Sequence, residues 1–372
     1  MPEDRPTSGA RVAVLVSFSG DGGVENMIAR LVQGFLDQGT AVDVLLIKER
    51  GGHARRLPTG ARVLRLDAAT SLMALPAVVR YLRRERPQAL LAAKDRAGRI
   101  ALLARRIAGV NTRIVLRLGM HLSGSMAGKS ALYRWSRWLP VRLLYPKADA
   151  IVTVARAMAD DFHRHGGIPR DRFTVIPNPS IPPDLGERCA EPVDHPWLAG
   201  NSEPVILGVG RLKPQKDFAT LLRAFARLRE RRAARLVILG EGPERATLQR
   251  LAGELGIGDE LLLPGFVSNP LAWMRRADVF VLSSAFEGAP NVLVEALACG
   301  TPAVATDCPS GPREILADGA LGPLVPVGDD DAMAQAIEDV LDAPPAPEQL
   351  RAGVADYTVE RSSGRYLGVL LR

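Results

Sequence analysis

Ser283-Ser-Ala-Phe-Glu-Gly-Ala-Pro-Asn-Val-Leu-Val-Glu-Ala-Leu-Ala-Cys-Gly-Thr-Pro-Ala-Val-Ala-Thr-Asp307 follows directly on the apolar run at 279–282. The pattern predicts a strand over 279–282, a Gly/Pro loop, a helix over 292–298 stopped by Gly300, and a second strand over 302–306. That order is a βαβ unit. Its loop falls at the carboxyl end of the first strand, where open parallel sheets bind ligands. The amides of Asn291, Val292 and Leu293 open the helix beside it. A phosphate suits such a place. Glu287 in the loop and Glu295 one turn into the helix add two carboxylates, one suited to ribose hydroxyls and the other to a sugar ring.

Working outward, the alternation of apolar runs and amphipathic stretches continues on both sides. The first half reads as strand 11–17, a glycine loop, helix 25–38, strand 41–47, strand 88–93, helix 96–108, strand 112–118 and strand 150–154. Residues 176–204 are proline-dense and read as a linker. A second alternation follows: strand 205–209, helix 218–229, strand 235–239, helix 244–255, strand 261–263 and helix 270–275. The fold class is therefore α/β, with two Rossmann-like domains in tandem making a cleft. The expected boundaries are 1–180, a linker at 181–203, 204–355, and a closing helix at 356–372.

The 372 residues are 47% hydrophobic and 24% charged, a soluble globular balance. The amino-terminal stretch carries acids and prolines rather than a secretory signal, and no apolar run approaches bilayer length, so a cytoplasmic protein is expected. Cys189, Cys299 and Cys308 are too few for a disulfide framework and lack metal-ligand spacing, so they read as incidental thiols. Charge is uneven. Residues 1–184 hold 29 Lys and Arg against 15 Asp and Glu, and residues 185–372 hold 19 against 26, within a whole-chain balance of +7. A basic half suggests an anionic partner. No aromatic platform or recognition motif accompanies the charge, so nucleic acid is not the expected one.

Two glutamates eight positions apart mean little alone, but Gly288-Ala-Pro290 lies between them and Ala298-Cys-Gly-Thr-Pro302 follows. With that context the segment resembles the E-x7-E motif of retaining glycosyltransferases of family GT4. The likeness extends to Gly208-Val-Gly-Arg-Leu-Lys-Pro-Gln-Lys216, similar to the family's Gly-Arg-Leu-x-x-x-Lys, and to Gly240-Glu-Gly-Pro243 and Gly265-Phe-Val-Ser268. The resemblance implies a GT-B architecture, with the carboxyl-terminal helix returning to the first domain. Arg211 would fork across diphosphate oxygens and Lys216 would act as a point charge beside them. It implies Phe266 and Val267 near the nucleobase, and Gly22 and Gly23 of Gly20-Asp-Gly-Gly-Val-Glu25 near the donor from the opposite wall. It also implies His121 beside the donor sugar, with Arg117 and Ser123 as weaker acceptor contacts.

The resemblance further implies no metal and no cofactor, because Arg211 and Lys216 stand where a cation would. Asp329-Asp-Asp331 reads instead as a helix cap. Asp307-Cys-Pro-Ser-Gly-Pro-Arg-Glu-Ile315 looks like the subgroup using UDP donors in bacterial surface-glycan assembly. The expected partners are a nucleotide-sugar donor and a lipid-linked or growing saccharide acceptor. Residues 129–147 interleave aromatic and basic side chains and suit the inner face of an anionic membrane as well as an ordinary packed helix. The rival readings are a nucleotide-sugar epimerase of the same architecture, a pyridoxal-dependent phosphorylase and a basic nucleic-acid-binding protein.

Overall fold

The computed structural model describes residues 9–18, 23–49, 53–126, 128–199 and 203–372. It divides into two units, residues 1–179 with 358–372, and residues 180–357.

The first unit runs β1 (Arg11–Phe18), α1 (Gly23–Asp37), β2 (Ala41–Glu49), β3 (Arg62–Arg65), α2 (Leu75–Glu85), β4 (Ala89–Ala92), α3 (Asp95–Ala108), β5 (Arg113–Leu118), α4 (Ala131–Leu144), β6 (Ala150–Thr153), α5 (Arg156–Gly166) and β7 (Phe173–Val175). Its seven strands pair in parallel in the order β3-β2-β1-β4-β5-β6-β7. Successive side chains of β1 all bury, Val12 through Val16, because helices cover both faces of a parallel sheet. α3 and α5 each stop at a glycine in the left-handed region, Gly109 and Gly167.

The second unit begins with α6 (Leu185–Ala190) and continues β8 (Val205–Val209), α7 (Phe218–Arg229), β9 (Arg235–Leu239), α8 (Arg245–Glu254), β10 (Leu261–Gly265), α9 (Pro270–Met274), β11 (Val279–Leu282), α10 (Asn291–Cys299), β12 (Ala303–Thr306), α11 (Pro312–Ile315), β13 (Leu324–Val325), α12 (Asp330–Asp342) and α13 (Pro347–Gly353). The six strands are parallel in the order β10-β9-β8-β11-β12-β13. The order reverses between β8 and β11, so two loops diverge there and leave a crevice at the carboxyl ends of those strands.

The last helix, α14 (Val359–Leu370), belongs to the first unit. Tyr366 and Leu370 lie in that unit's core, and Gln38 Nε2 donates to Ser363 Oγ at 2.6 Å. Gly34 makes room for the helix: a Cβ there would lie 2.5 Å from Ser363 Oγ.

The proline-dense stretch read as a linker is packed against the second unit. Ile181, Leu185, Trp197 and Leu198 pack on the second unit's core, and the Arg235 guanidinium sits 5.0 Å over the Trp197 ring. The prolines fix the path of the chain while the apolar residues between them anchor it. Helix α2 is absent from the sequence reading, and β10 extends to Gly265 rather than stopping at 263.

Candidate active site

At the reversal in the second unit, β8 gives way to Gly210-Arg-Leu-Lys213, and β9 to Gly240-Glu-Gly-Pro243. The two loops run in backbone contact. Leu212 N donates to Glu241 O at 3.0 Å and Glu244 N to Leu212 O at 3.1 Å. Only glycine permits this approach, since a Cβ on Gly240, whose φ is +139°, would fall 1.9 Å from Gly210 O. Arg211 is thereby placed at the strand's carboxyl edge.

A single turn over Pro214–Lys216 ends at Asp217, which sits in the left-handed region and accepts from Thr220 N to cap α7. That turn delivers Lys216 to the loop after β11. Lys216 Nζ lies 2.6 Å from Glu287 Oε1, and Ser284 Oγ donates to the same oxygen at 2.8 Å. Both side chains are mostly buried, 16% exposed for the lysine and 9% for the glutamate. The loop is tied on all sides: Gln215 Nε2 donates to Phe286 O, Ala285 N to Gln215 O, Ser283 Oγ to Lys216 O, Thr306 Oγ1 to Ser284 O and Ser310 Oγ to Gly288 O. The lysine and glutamate form one preorganised ion pair. Lys216, expected from the sequence as a point charge, is thus held by a carboxylate partner.

Helix α10 starts at Asn291 after Pro290, which supplies no side-chain cap. Ser180 Oγ donates to Asn291 Oδ1 at 3.0 Å. Of the three amides expected to face a ligand, that of Leu293 is spent on Pro290 O at 3.1 Å, because the first turn closes on itself. Leu293 is buried in the core, whereas Val292 is half-buried. Glu295, one turn further on, is 8% exposed. Phe266 and Val267 part ways beyond β10: Val267 packs against the core while Phe266 is 64% exposed. Asp329 accepts from Ala332 N at 2.9 Å and caps α12, and Asp330 and Asp331 pair with Arg227.

In the first unit, Gly22 lies outside the described residues, and Gly23 opens α1 in an exposed position. Beside it stands a pair missing from the sequence reading. Lys94, the residue before α3, donates to Ser17 O at 2.7 Å and to Glu25 Oε1 at 3.1 Å, and Glu25 is 4% exposed. Glu25 is thus held by an ion pair in the first turn of α1. A glutamate just after a glycine run, at the start of an amphipathic stretch, is the signal in the sequence. Arg117 is almost wholly buried, donating to Asn178 Oδ1 at 2.7 Å. Ser123 Oγ contacts His165 Nδ1 at 3.2 Å.

His121 accepts from Gly124 N at 3.1 Å through Nδ1, which leaves the ring proton on Nε2. Burial holds its pKa below the ordinary 6.5, against the pull of Asp161, whose Oδ2 is 3.9 Å from Nδ1. The ring is a neutral hydrogen-bond donor at neutral pH. With the folded-state pKa depressed, the unfolded chain takes up the proton first as pH falls through 6.5. The associated stability is present above that value and is lost below it. Unfolding measured at about pH 7.5 and about pH 5.5 should show a larger acid loss in the wild type than in His121→Asn.

A model of glycosyl transferases group 1 matches residues 194–355, and one of the glycosyl transferase 4-like domain matches residues 22–179. The N-acetylgalactosamine-N,N'-diacetylbacillosaminyl-diphospho-undecaprenol 4-alpha-N-acetylgalactosaminyltransferase of Campylobacter jejuni is 34% identical over 248 residues, 67% of this chain. The alignment spans 65% of that relative, a little under two thirds of its length. The lipopolysaccharide core biosynthesis glycosyltransferase LpsE of Rhizobium meliloti is 29% identical over 94% of this chain and 93% of its own. The crystal structure of Anabaena HepE in complex with UDP-glucose matches 97% of both chains with a TM-score of 0.74 at 19% identity, a likeness of fold. Family models on both units, relatives along the whole length and a shared architecture agree: the chain belongs to the GT4 family of glycosyltransferases and has the GT-B fold.

Proposed function

We propose that the protein is a retaining glycosyltransferase that moves a hexose or N-acetylhexosamine from a UDP-sugar to a lipid-linked or growing saccharide in cell-surface glycan assembly. The observation that carries this reading is the Lys216–Ser284–Glu287 constellation at the β8/β11 reversal, followed by α10 with its buried Glu295. UDP-glucose bound to HepE, and the diphospho-undecaprenol substrate in the name of the Campylobacter relative, support the donor and acceptor classes.

As the bond from the anomeric carbon to the diphosphate breaks, charge builds on the leaving oxygen. Arg211, Lys216 and the amino terminus of α10 stabilise it in a partly desolvated crevice. Glu295 holds ribose hydroxyls, and Glu287 receives sugar hydroxyls while its Lys216 partner faces the phosphates. His121 donates from Nε2 to the sugar. The acceptor hydroxyl attacks from the face the diphosphate leaves, and its proton passes to a leaving-group oxygen, so retention requires no protein base. The metal-independent and cofactor-free reading belongs to this same proposal.

Helix α4 supports a membrane-borne acceptor. Trp138 and Val141 pack inward, while Leu132, Tyr133, Trp135 and Leu143 are exposed among Arg134, Lys129 and Arg142. Apolar side chains can enter the headgroup region while the cations meet anionic lipid, each worth about 1 kcal/mol near the surface. Among the described residues no helix is long and apolar enough to cross a membrane.

One experiment tests the donor, the stereochemistry and the acceptor together. UDP-sugar and a lipid-linked saccharide in anionic vesicles should yield a product whose new linkage keeps the donor's anomeric configuration by NMR. Inversion, or a new sugar nucleotide formed from donor alone, refutes the proposal. Trp135→Glu with Leu132→Glu should raise KM for the vesicle-borne acceptor about tenfold, leaving donor binding unchanged.

A further inference from the structure

The three cysteines form no motif, yet the fold brings two of them together. Cys189 on α6 and Cys299, the last residue of α10, are 110 positions apart with their Sγ atoms at 3.2 Å. Cys189 is partly exposed and Cys299 is 2% exposed. Both backbones are pinned to their surroundings. Arg276 Nη1 donates to Cys189 O at 3.3 Å, Asn269 Nδ2 to Arg188 O at 2.8 Å, and Arg351 Nη2 to Cys299 O at 3.4 Å. Closing to a sulfur–sulfur bond of about 2.05 Å requires a movement of about 1 Å, within the reach of side-chain rotation.

We infer that Cys189 and Cys299 are a redox-active dithiol that closes reversibly to an internal disulfide by exchange with a low-molecular-weight disulfide. The surroundings assign the order of events. The hydrogen bond from Cys299 first, then the charges of Arg275, Arg188 and Arg351, bring the Cys189 thiol down to about 7. Cys299 moves the opposite way, through that same hydrogen bond, burial and the Glu295 charge. Cys189 is therefore the exposed thiolate that attacks. Its sulfur displaces one thiolate from the disulfide RSSR and forms a mixed disulfide. The Cys299 thiol, losing its proton to solvent or to the departing thiolate, then attacks Cys189 Sγ and expels the second. Two protein thiols and one RSSR become one protein disulfide and two RSH, with the protein oxidised and the small disulfide reduced. Cys308 takes no part: it is 2% exposed and burial pushes its thiol up to about 11.

The closed bond tethers α6 to α10 one turn from Glu295, and it stands or falls independently of any sugar nucleotide. Such a bond crosses a long loop, so the oxidised protein should melt several degrees higher than the reduced protein. The test treats the folded full-length protein with oxidised glutathione, followed by intact mass and peptide mapping without reduction. The wild type should lose the mass of two hydrogens, yield a 189–299 cross-linked peptide, and recover fully in dithiothreitol. Cys299→Ser should instead accumulate one glutathione adduct on Cys189, Cys189→Ser should acquire neither, and Cys308→Ser should behave as wild type. A stable adduct on wild-type Cys189 without the cross-link, or no reaction of the folded wild type, overturns the inference. The wild-type result alone decides the matter if a variant misfolds.

Discussion

Glu287→Ala should lose transfer by about 10²–10³-fold in kcat while still binding the nucleotide, because the carboxylate acts on the sugar and not on the diphosphate. The geometry adds a second expectation. Lys216 Nζ and Glu287 Oε1 are 2.6 Å apart with both side chains largely buried, so removing either leaves the other as an uncompensated charge. In Glu287→Ala the surviving ammonium faces the diphosphate alone, and UDP affinity should hold or tighten. In Lys216→Ala the surviving carboxylate faces the same phosphates, and both UDP affinity and kcat should fall. The double variant should cost much less than the two single losses combined, since the pair works as a unit. Steady-state kinetics with nucleotide binding on the three variants reads all of this. Wild-type turnover in Glu287→Ala would remove the carboxylate from the account.

Gly240→Ala should be the most damaging small substitution in the second unit. Its Cβ would sit 1.9 Å from Gly210 O, a backbone atom in a loop that cannot swing away, and φ is +139°. The expected cost is at least about 4 kcal/mol, with loss of the Arg211 and Lys216 placement that depends on the same loop contact. Gly253→Ala is the matched control: it lies in α8 with nothing within 4 Å of the added methyl, and should stabilise by about 0.5–1 kcal/mol. Thermal unfolding of the two variants separates close approach from simple helix propensity. Comparable melting of Gly240→Ala and wild type would show that the two loops are not locked together.

The parts of the fold legible from sequence were those where local signals agree. β11 is a continuous apolar run, α10 stops at Gly300 with φ +82°, and β12 resumes at once. Helix α2 was missed because its buried stripe is short, Val78, Val79, Tyr81 and Leu82, set among arginines with a proline in the first turn. In the stretch 181–203 proline density hides the anchoring role of Ile181, Leu185 and Trp197. At the site, the motif residues could be named, but their partners could not. Nothing local ties Lys216 to Glu287, Lys94 to Glu25, or Cys189 to Cys299. These pairs are made by the tertiary fold, which brings together residues from 69 to 110 positions apart.

The central claim is that the β8/β11 crevice of the second unit binds a nucleotide-sugar through Arg211 and Glu295. Its most direct test is ligand-induced thermal stabilisation of the intact chain across UDP-, GDP-, ADP- and TDP-sugars, repeated with Arg211→Ala and Glu295→Ala. The account predicts a rise of several degrees with the UDP class that both substitutions abolish. No rise with any nucleotide, or a rise that survives both substitutions, contradicts it.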